Sequence, residues 1–559
     1  MSGPGDFDRA TALDRLASTT FDVLVVGGGI TGVGVALDAA SRGLRTALVE
    51  RDDFAAGTSS KSSKLVHGGL RYLQQGEVRL VYQALRERQI LRRTAPHLVH
   101  VLPFLIPIFT KDGLLNRRLA RALGSAMWMY DFTGGLRIGK LHKRLTTDEA
   151  MAHMPTLRRD RMAGAYLYYD AQTDDARLVL EVARTAALDH GATIANRARL
   201  TGIDKDDQGR VRGATVEADG RSIEVRARTL VNATGVWSDD IRALDEGTHP
   251  DSIRPAKGVH ITVPWDLVRN DIAAVIPVPK DKRSVFVVAW GGSTYIGTTD
   301  TDYTGDVDEP MCTREDVEYL LRAINGAIEG TIEPSDITGT WAGLRPLVKR
   351  AGSARTADLS RMHKVSTSGS GVVSINGGKL TTYREMAADT VDEVVDLLGE
   401  RAPGGLHRRS RTRKLPLRGT KGHDEARTMT APGLDQAAVD HLVGRHGGES
   451  TVLLAMVEAD PELGRPLVEG LPYLRAEAVY AVRHEMAATV DDVLSRRTRA
   501  RLLAAEASMA AADDVAALIG PVLGWSADEE AAQAEAYRTS VEAELDAAGL
   551  HDEPAASAT

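Results

Sequence analysis

The chain has 559 residues, 43% of them hydrophobic and 26% charged, with a formal net charge of −8. That length holds two to four domains, and the acidity argues against a nucleic-acid-binding surface, which is usually basic. The single cysteine, Cys312, excludes an intrachain disulfide and any thiolate-ligated metal or iron–sulfur centre; it reads as a small buried hydrophobe.

Residues 1–20 are polar, lack an apolar signal segment and read as a loose arm. "FDVLVVGGG" predicts a buried strand, "ITGVGVALDAASRG" a helix that stops near Gly43, and "LRTALVE" a second strand, so a βαβ unit and a parallel sheet are expected. Residues 74–95 read as helix up to Pro96. "VLPFLIPIF" at 101–109 is too short to span a bilayer and carries Pro103 and Pro107, so it reads as strand or buried loop.

A helix is predicted over 174–189, then a hairpin turning at Asp219-Gly220 and a strand running into Gly235. "KGVHITVP" and "SVFVVAWGGSTYIGTTD" predict antiparallel strands of another sheet. "GVVSINGGKLTTYREMAADTVDEVVDLLG" reads as strand, glycine turn and helix. Pro, Gly and charge at 402–422 mark a domain boundary, beyond which the chain is Ala-rich and helical to about 548.

The expected fold is an α/β Rossmann-like nucleotide-binding domain with an inserted antiparallel-sheet substrate domain and a C-terminal all-α domain. The boundaries are 1–20 for the arm, 21–415 for the discontinuous nucleotide and substrate unit, 416–548 for the helical domain and 549–559 for a disordered tail. The substrate part covers about 96–165 and 255–345.

Gly27-x-Gly29-x-x-Gly32 sits between the predicted strand and helix. The first glycine makes the tight turn, the second admits a pyrophosphate and the third packs helix on strand. The helix N-terminus offers unpaired N–H groups to the phosphates. Glu50 ends the next strand, at the spacing of the acid that binds ribose hydroxyls, and argues against a 2′-phosphate. Three later features favour FAD over NAD: "NATG" at 232–235, "NGGKLTT" at 376–382, and the stretch 58–73 placed where an extended dinucleotide would pass.

The order of "VVGGGITGVGVALDAASRGL", "TSSKSSKLVHGGLRYL", "DDARLVLE", "LVNATGVW", "KGVHITVP", "IGTTDTDY", "GLRPL" and "GGKLTTYR" over residues 21–384 resembles the FAD-dependent respiratory glycerol-3-phosphate dehydrogenases. These lie within the D-amino-acid-oxidase-like flavoproteins. "VRHEMAATVDDVLSRRTR" at 482–499 is similar to the family's C-terminal helical domain.

The resemblance implies non-covalent FAD held by Gly27, Gly29, Gly32, Glu50, Thr58, Ser59, Ser63, Lys64, Leu65, Gly68, Gly69, Ala233, Thr234, Gly235, Gly377, Gly378, Lys379, Leu380 and Thr381, with no metal. It implies hydride transfer from C2 of sn-glycerol 3-phosphate, giving dihydroxyacetone phosphate, with electrons passed to a membrane quinone. Arg71 would bind the substrate phosphate, Tyr72 would line the site, and Arg361 would be a second substrate-binding arginine. Arg345 would stabilise developing oxyanion character, and Lys379 the reduced flavin. Two candidates for the base at the C2 hydroxyl stay open, His67 first and the substrate-side His260 second, beside a base-free route through solvent. Asp300 and Asp302 read as turn-shaping.

The basic, partly apolar stretches 116–145 and 407–418 are expected to hold the protein on the anionic inner face of a cell membrane, the chain otherwise being cytoplasmic. Homodimer formation is left open, and no nucleic-acid partner is expected. The competing readings are an oxidase of the same substrate using dioxygen, a flavin oxidase of another small anion, and a flavin- or nucleic-acid-binding module without turnover. No calcium-loop pattern of the EF-hand type is present.

Overall fold

The computed structural model describes residues 7–70, 77–109, 127–131, 138–279, 281, 283–349 and 362–551. Arg71, Tyr72, Arg361 and most of 116–137 lie outside these residues.

Three sheets organise the first 400 residues. The six-stranded sheet runs in the order Lys364–Thr367, Val372–Asn376, Leu230–Asn232, Val23–Val26, Thr46–Val49, Thr193–Ala195. Its pairings are parallel except at the Lys364–Thr367 edge. Val23–Val26 and Thr46–Val49 are buried at every position, as expected of strands covered on both faces. Helices Ile30–Arg42, Asp175–Arg184 and Tyr383–Leu398 contribute to the same core. Gly34 is glycine for packing, since a Cβ there would press on the Tyr383 ring.

A four-stranded sheet holds the predicted hairpin. Ala218 pairs with Arg221 across Asp219 and Gly220, and both turn residues have positive φ, 53° and 68°, the geometry that matches strand twist. The third sheet, mixed and ten-stranded, is built from strands between Leu65 and Gln172 and between Ile253 and Val348. The 101–109 run is a strand within it, His100–Phe109, antiparallel to Met162–Gln172.

The loose-arm reading of residues 1–20 is corrected over residues 7–20, residues 1–6 lying outside the described range. Arg9–Ser18 is a helix whose Asp8 cap accepts from Thr11 N–H. Ala12, Leu13 and Leu16 bury one side of it in the core beneath the four-stranded sheet. Arg9 also donates to the carbonyls of Asn196 at 2.8 Å and Arg197 at 2.9 Å. The apolar stripe is only three residues wide, and the polar composition around it hid the pattern. The expected disordered tail from 549 is corrected at its start: Ala548 is buried and Leu550 packs on the core, while residues 552–559 lie outside the described range.

From His423 to Ala547 the chain is helical. Its two clusters centre on Leu442, Leu453 and Tyr480 and on Val493, Ile519 and Tyr537. No helix among the described residues is long and apolar enough to cross a membrane.

Candidate active site

The C-terminal ends of the parallel strands open onto a cavity of about 490 Å³. Its floor is the turn between Val23–Val26 and Ile30–Arg42. Gly27 has φ 108°, and a Cβ there would strike the Ala233 backbone. Gly29 faces the cavity, and a Cβ would sit 3.1 Å from Ser59 Oγ. Gly32 lies outside the cavity and does the packing job, because a Cβ would overlap the Gly27 carbonyl. Gly27 thus makes the tight turn and Gly32 the close helix–strand contact that their spacing predicts.

Glu50, Thr58, Ser59, Ala233, Thr234, Gly235, Gly377, Gly378, Lys379 and Leu380 also line the cavity. Glu50 accepts from the N–H groups of Gly28 at 2.6 Å and Asp52 at 2.8 Å. Burial still lifts its carboxyl to about 7, against the pull of those bonds. Gly377 and Gly378 have φ 76° and 82°, which brings backbone rather than side chain to the wall. An elongated cradle of glycine backbone, a helix N-terminus and an acid at the ribose position fit an extended dinucleotide.

Several expected contacts are placed elsewhere. Lys64 does not reach the cavity: its Nζ donates to Asp175 and to the Ser60 carbonyl, both at 3.0 Å, because a buried carboxylate at the start of helix Asp175–Arg184 demands cations. Ser63 Oγ bonds His260 Nε2 at 2.9 Å, and Leu65 belongs to the apolar core. Gly68 is enclosed; a Cβ would collide with Leu85 and the Tyr130 hydroxyl. Its N–H donates to Tyr130 Oη and Asp170 Oδ1. Gly69 has φ 78°. Thr381 Oγ1 accepts from His67 N–H at 3.2 Å, so His67 stands beside the Lys379–Leu380 wall.

The two histidines differ. His67 is held neutral, its pKa lowered to about 4 by burial and by nearby Lys379 and Arg88, with Asp170 opposing. His260 is stacked on Trp341, with centroids 4.6 Å apart, and burial pushes it well below its usual value. Gly297 is closed against its ring, so its edge is spent on Ser63.

Arg345 donates to Asp300 at 3.2 Å and to Thr298 Oγ1 at 3.3 Å, beside Pro346 of the cavity wall. Asp300 therefore orients Arg345 rather than merely shaping a turn, while Asp302 pairs with Arg254.

Sequence reasoning missed the outer end of the cavity. Arg199, Leu200 and Thr201, Arg51, Trp237, Ile241 and Leu244 line it. The Arg51 guanidinium lies 4.5 Å over the Trp237 ring, and Asp308 accepts from both. Trp237 stood in "NATGVW", where its place two residues after the turn was the available signal.

A family model described as FAD dependent oxidoreductase matches residues 22–384, and one described as the C-terminal domain of alpha-glycerophosphate oxidase matches 410–530. Glycerol-3-phosphate dehydrogenase 2 of Mycobacterium tuberculosis is 40% identical over 97% of this chain and 91% of its own. The chain belongs to the FAD-dependent glycerol-3-phosphate dehydrogenase family. The mouse mitochondrial glycerol-3-phosphate dehydrogenase is 37% identical over 93% of this chain and 73% of its own. Among solved structures, the glycerol-3-phosphate dehydrogenase of Bacillus halodurans complexed with FAD aligns with TM-score 0.76 at 29% identity, covering 96% of this chain and 97% of that one. As a member of this family the chain is an FAD-dependent oxidoreductase.

Proposed function

We propose that the protein oxidises sn-glycerol 3-phosphate to dihydroxyacetone phosphate and passes the electrons to a membrane quinone. The observation that carries the first half is the packing of His67 and Thr381 behind the Lys379–Leu380 wall of an FAD cradle, in a family whose members are named glycerol-3-phosphate dehydrogenases. Bound FAD supplies a two-electron hydride acceptor. Neutral His67 takes the proton of the C2 hydroxyl as the carbon loses its hydride. Arg345, fixed by Asp300 and Thr298, steadies the negative charge growing on that oxygen. Lys379 supplies a cation at the inner end of the cavity, where reduction adds negative charge. Arg71, assisted by Tyr72 and Arg361, binds the phosphate dianion. The enclosure of His260 favours His67 as the base.

The membrane half is supported by a surface patch. Leu85 and Tyr130 meet at Gly68, so helix Val78–Thr94 lies near the short helical segment that holds Trp128 and Met129. Val78, Tyr82, Trp128, Met129 and Leu141 are exposed, Trp128 by 53%. Cations Arg79, Lys140, Lys143 and Arg144 interleave with them, an interfacial composition. The 407–418 stretch shows no exposed large hydrophobe among the described residues, so the Trp128 patch is the preferred lipid-facing surface.

The test is anaerobic. Mixing with sn-glycerol 3-phosphate should bleach the flavin band near 450 nm, a general flavin property, and a quinone analogue should restore it. A flavin that stays yellow rejects the substrate. The C-terminal match to an oxidase domain favours one second reading, dioxygen as acceptor. Stoichiometric peroxide without quinone reduction would establish it.

A further inference from the structure

Part of the segment from Glu50 to Lys64 forms a wall of the FAD cradle. Ala56, Gly57, Thr58 and Ser59 line the cavity, and Ser59 Oγ accepts from Ile30 N–H at 2.9 Å. The segment's own sequence does not favour this path. Ala55 and Lys64 are held at φ 62° and 55°, a region that residues with a Cβ rarely occupy.

Both ends of the segment are held by one short run of the C-terminal domain, "SRRTR" at 495–499. Asp53 is only 1% exposed. Its Oδ2 accepts from Arg497 Nη1 at 2.7 Å and its Oδ1 from Arg497 Nη2 at 2.8 Å, a two-pronged fork. Arg496 Nε adds a third bond at 2.7 Å. At the other end the Ser60 carbonyl accepts from Arg499 Nη2 at 3.0 Å. Arg499 and Lys64 also share the buried Asp175 carboxylate. Burial pushes the Asp53 pKa up, but Arg497 and Arg496 together pull it below the usual carboxylate range, so the clamp stays charged at neutral pH. Among the described residues none that lines the cavity lies beyond Met386, so these arginines act on the loop from behind.

We propose that Arg497 and Arg499 are positioning residues for FAD: by fixing Asp53 and the Ser60 carbonyl they lock residues 53–60 in the shape that receives the cofactor, and the C-terminal helical domain thereby sets FAD affinity. The proposal rests on the FAD site alone and is independent of the substrate and acceptor readings. Linkage makes it reciprocal: bound FAD must strengthen the domain joint as much as the joint strengthens FAD binding. Lysine keeps the charge at either position but has no planar fork.

Deflavinated wild type, R497K and R499K should be titrated with FAD, following flavin fluorescence, beside thermal melts of each apoprotein and holoprotein. The expected result is a Kd for FAD raised tenfold or more in both variants. Apoprotein Tm should stay within about 2 °C of wild type, and substrate KM should be unchanged at saturating FAD. A Kd within twofold of wild type, with apo and holo Tm falling equally, would assign the arginines a purely structural role and overturn the proposal. Should a variant fail to fold, amide exchange on the wild type decides. Removing FAD should deprotect residues 52–62 and 485–499 together; deprotection confined to 52–62 overturns it.

Discussion

The glycine turns and the arginine run shape the same cavity by opposite means. At Gly27, Gly32, Gly377 and Gly378 side chains are absent so that backbone can close in. At Asp53, Asp175, Arg497 and Arg499 large charged side chains are buried, and each is held by its partners. The cradle is local, closed within a few residues of each turn; the joint reaches across almost the whole chain. A local device fails where it is touched. A distributed one should fail gradually, and through pH as well as through mutation.

The sharpest break is Gly32→Val. With the Gly27 carbonyl where the new side chain must go, the cost should exceed about 4 kcal/mol, and purified protein should carry no flavin absorbance. Next comes the joint. Asp53→Ala leaves the buried Arg497 with only Glu485 paired to it among the described residues, at 3.7 Å, while Arg496 keeps Asp491 and Asp492, a loss of about 3–5 kcal/mol measurable by urea unfolding of the apoprotein. Third, Lys379→Ala should slow anaerobic flavin reduction by about 10²-fold and lower the flavin potential, while FAD stays bound. Wild-type values for both would remove the lysine from the chemistry.

The fourth test uses pH. His97 sits at the joint with its pKa lowered to about 3, by burial first and then by His423, Arg177, His100 and His446. The unfolded chain takes up this proton below about 6.5 while the folded chain does not, so stability is full above that pH and falls as pH drops towards 3. His67 and His446, both lowered to about 4, add to the same limb. Between pH 7.5 and 5 the wild type should lose about 2 kcal/mol more than His97→Gln; equal losses would acquit the histidine. The smallest effect belongs to the outer end. Arg51 is partly exposed and its pairing with Asp308 is screened, so Arg51→Ala should weaken FAD binding by no more than about 1 kcal/mol, read as a small rise in Kd.

The same contrast decides what could be read from the sequence. The cradle was legible because turn, helix start and acid follow one another within residues 27–50, so spacing alone carries geometry. The hairpin at Asp219-Gly220 was legible for the same reason. Lys64 was misplaced because its motif position pointed to the cofactor, whereas its partner, Asp175, lies 111 residues on. His260 looked like a second base until Trp341 and Gly297 closed round it, neighbours that no local pattern announces. Trp237 was in plain view, yet its role at the outer end depends on Arg51 and Asp308 meeting it from two other loops.

The Asp53–Arg497 fork has a consequence for biosynthesis. Its partners are 444 residues apart, and a ribosome adding about 5–20 residues per second takes roughly 20 to 90 s to cover that distance. Throughout that interval the nascent loop carries a carboxylate made for burial with no cation to meet it. If the arginines hold the loop as proposed, its final shape waits until Arg497 and Arg499 have been made, long after the loop itself.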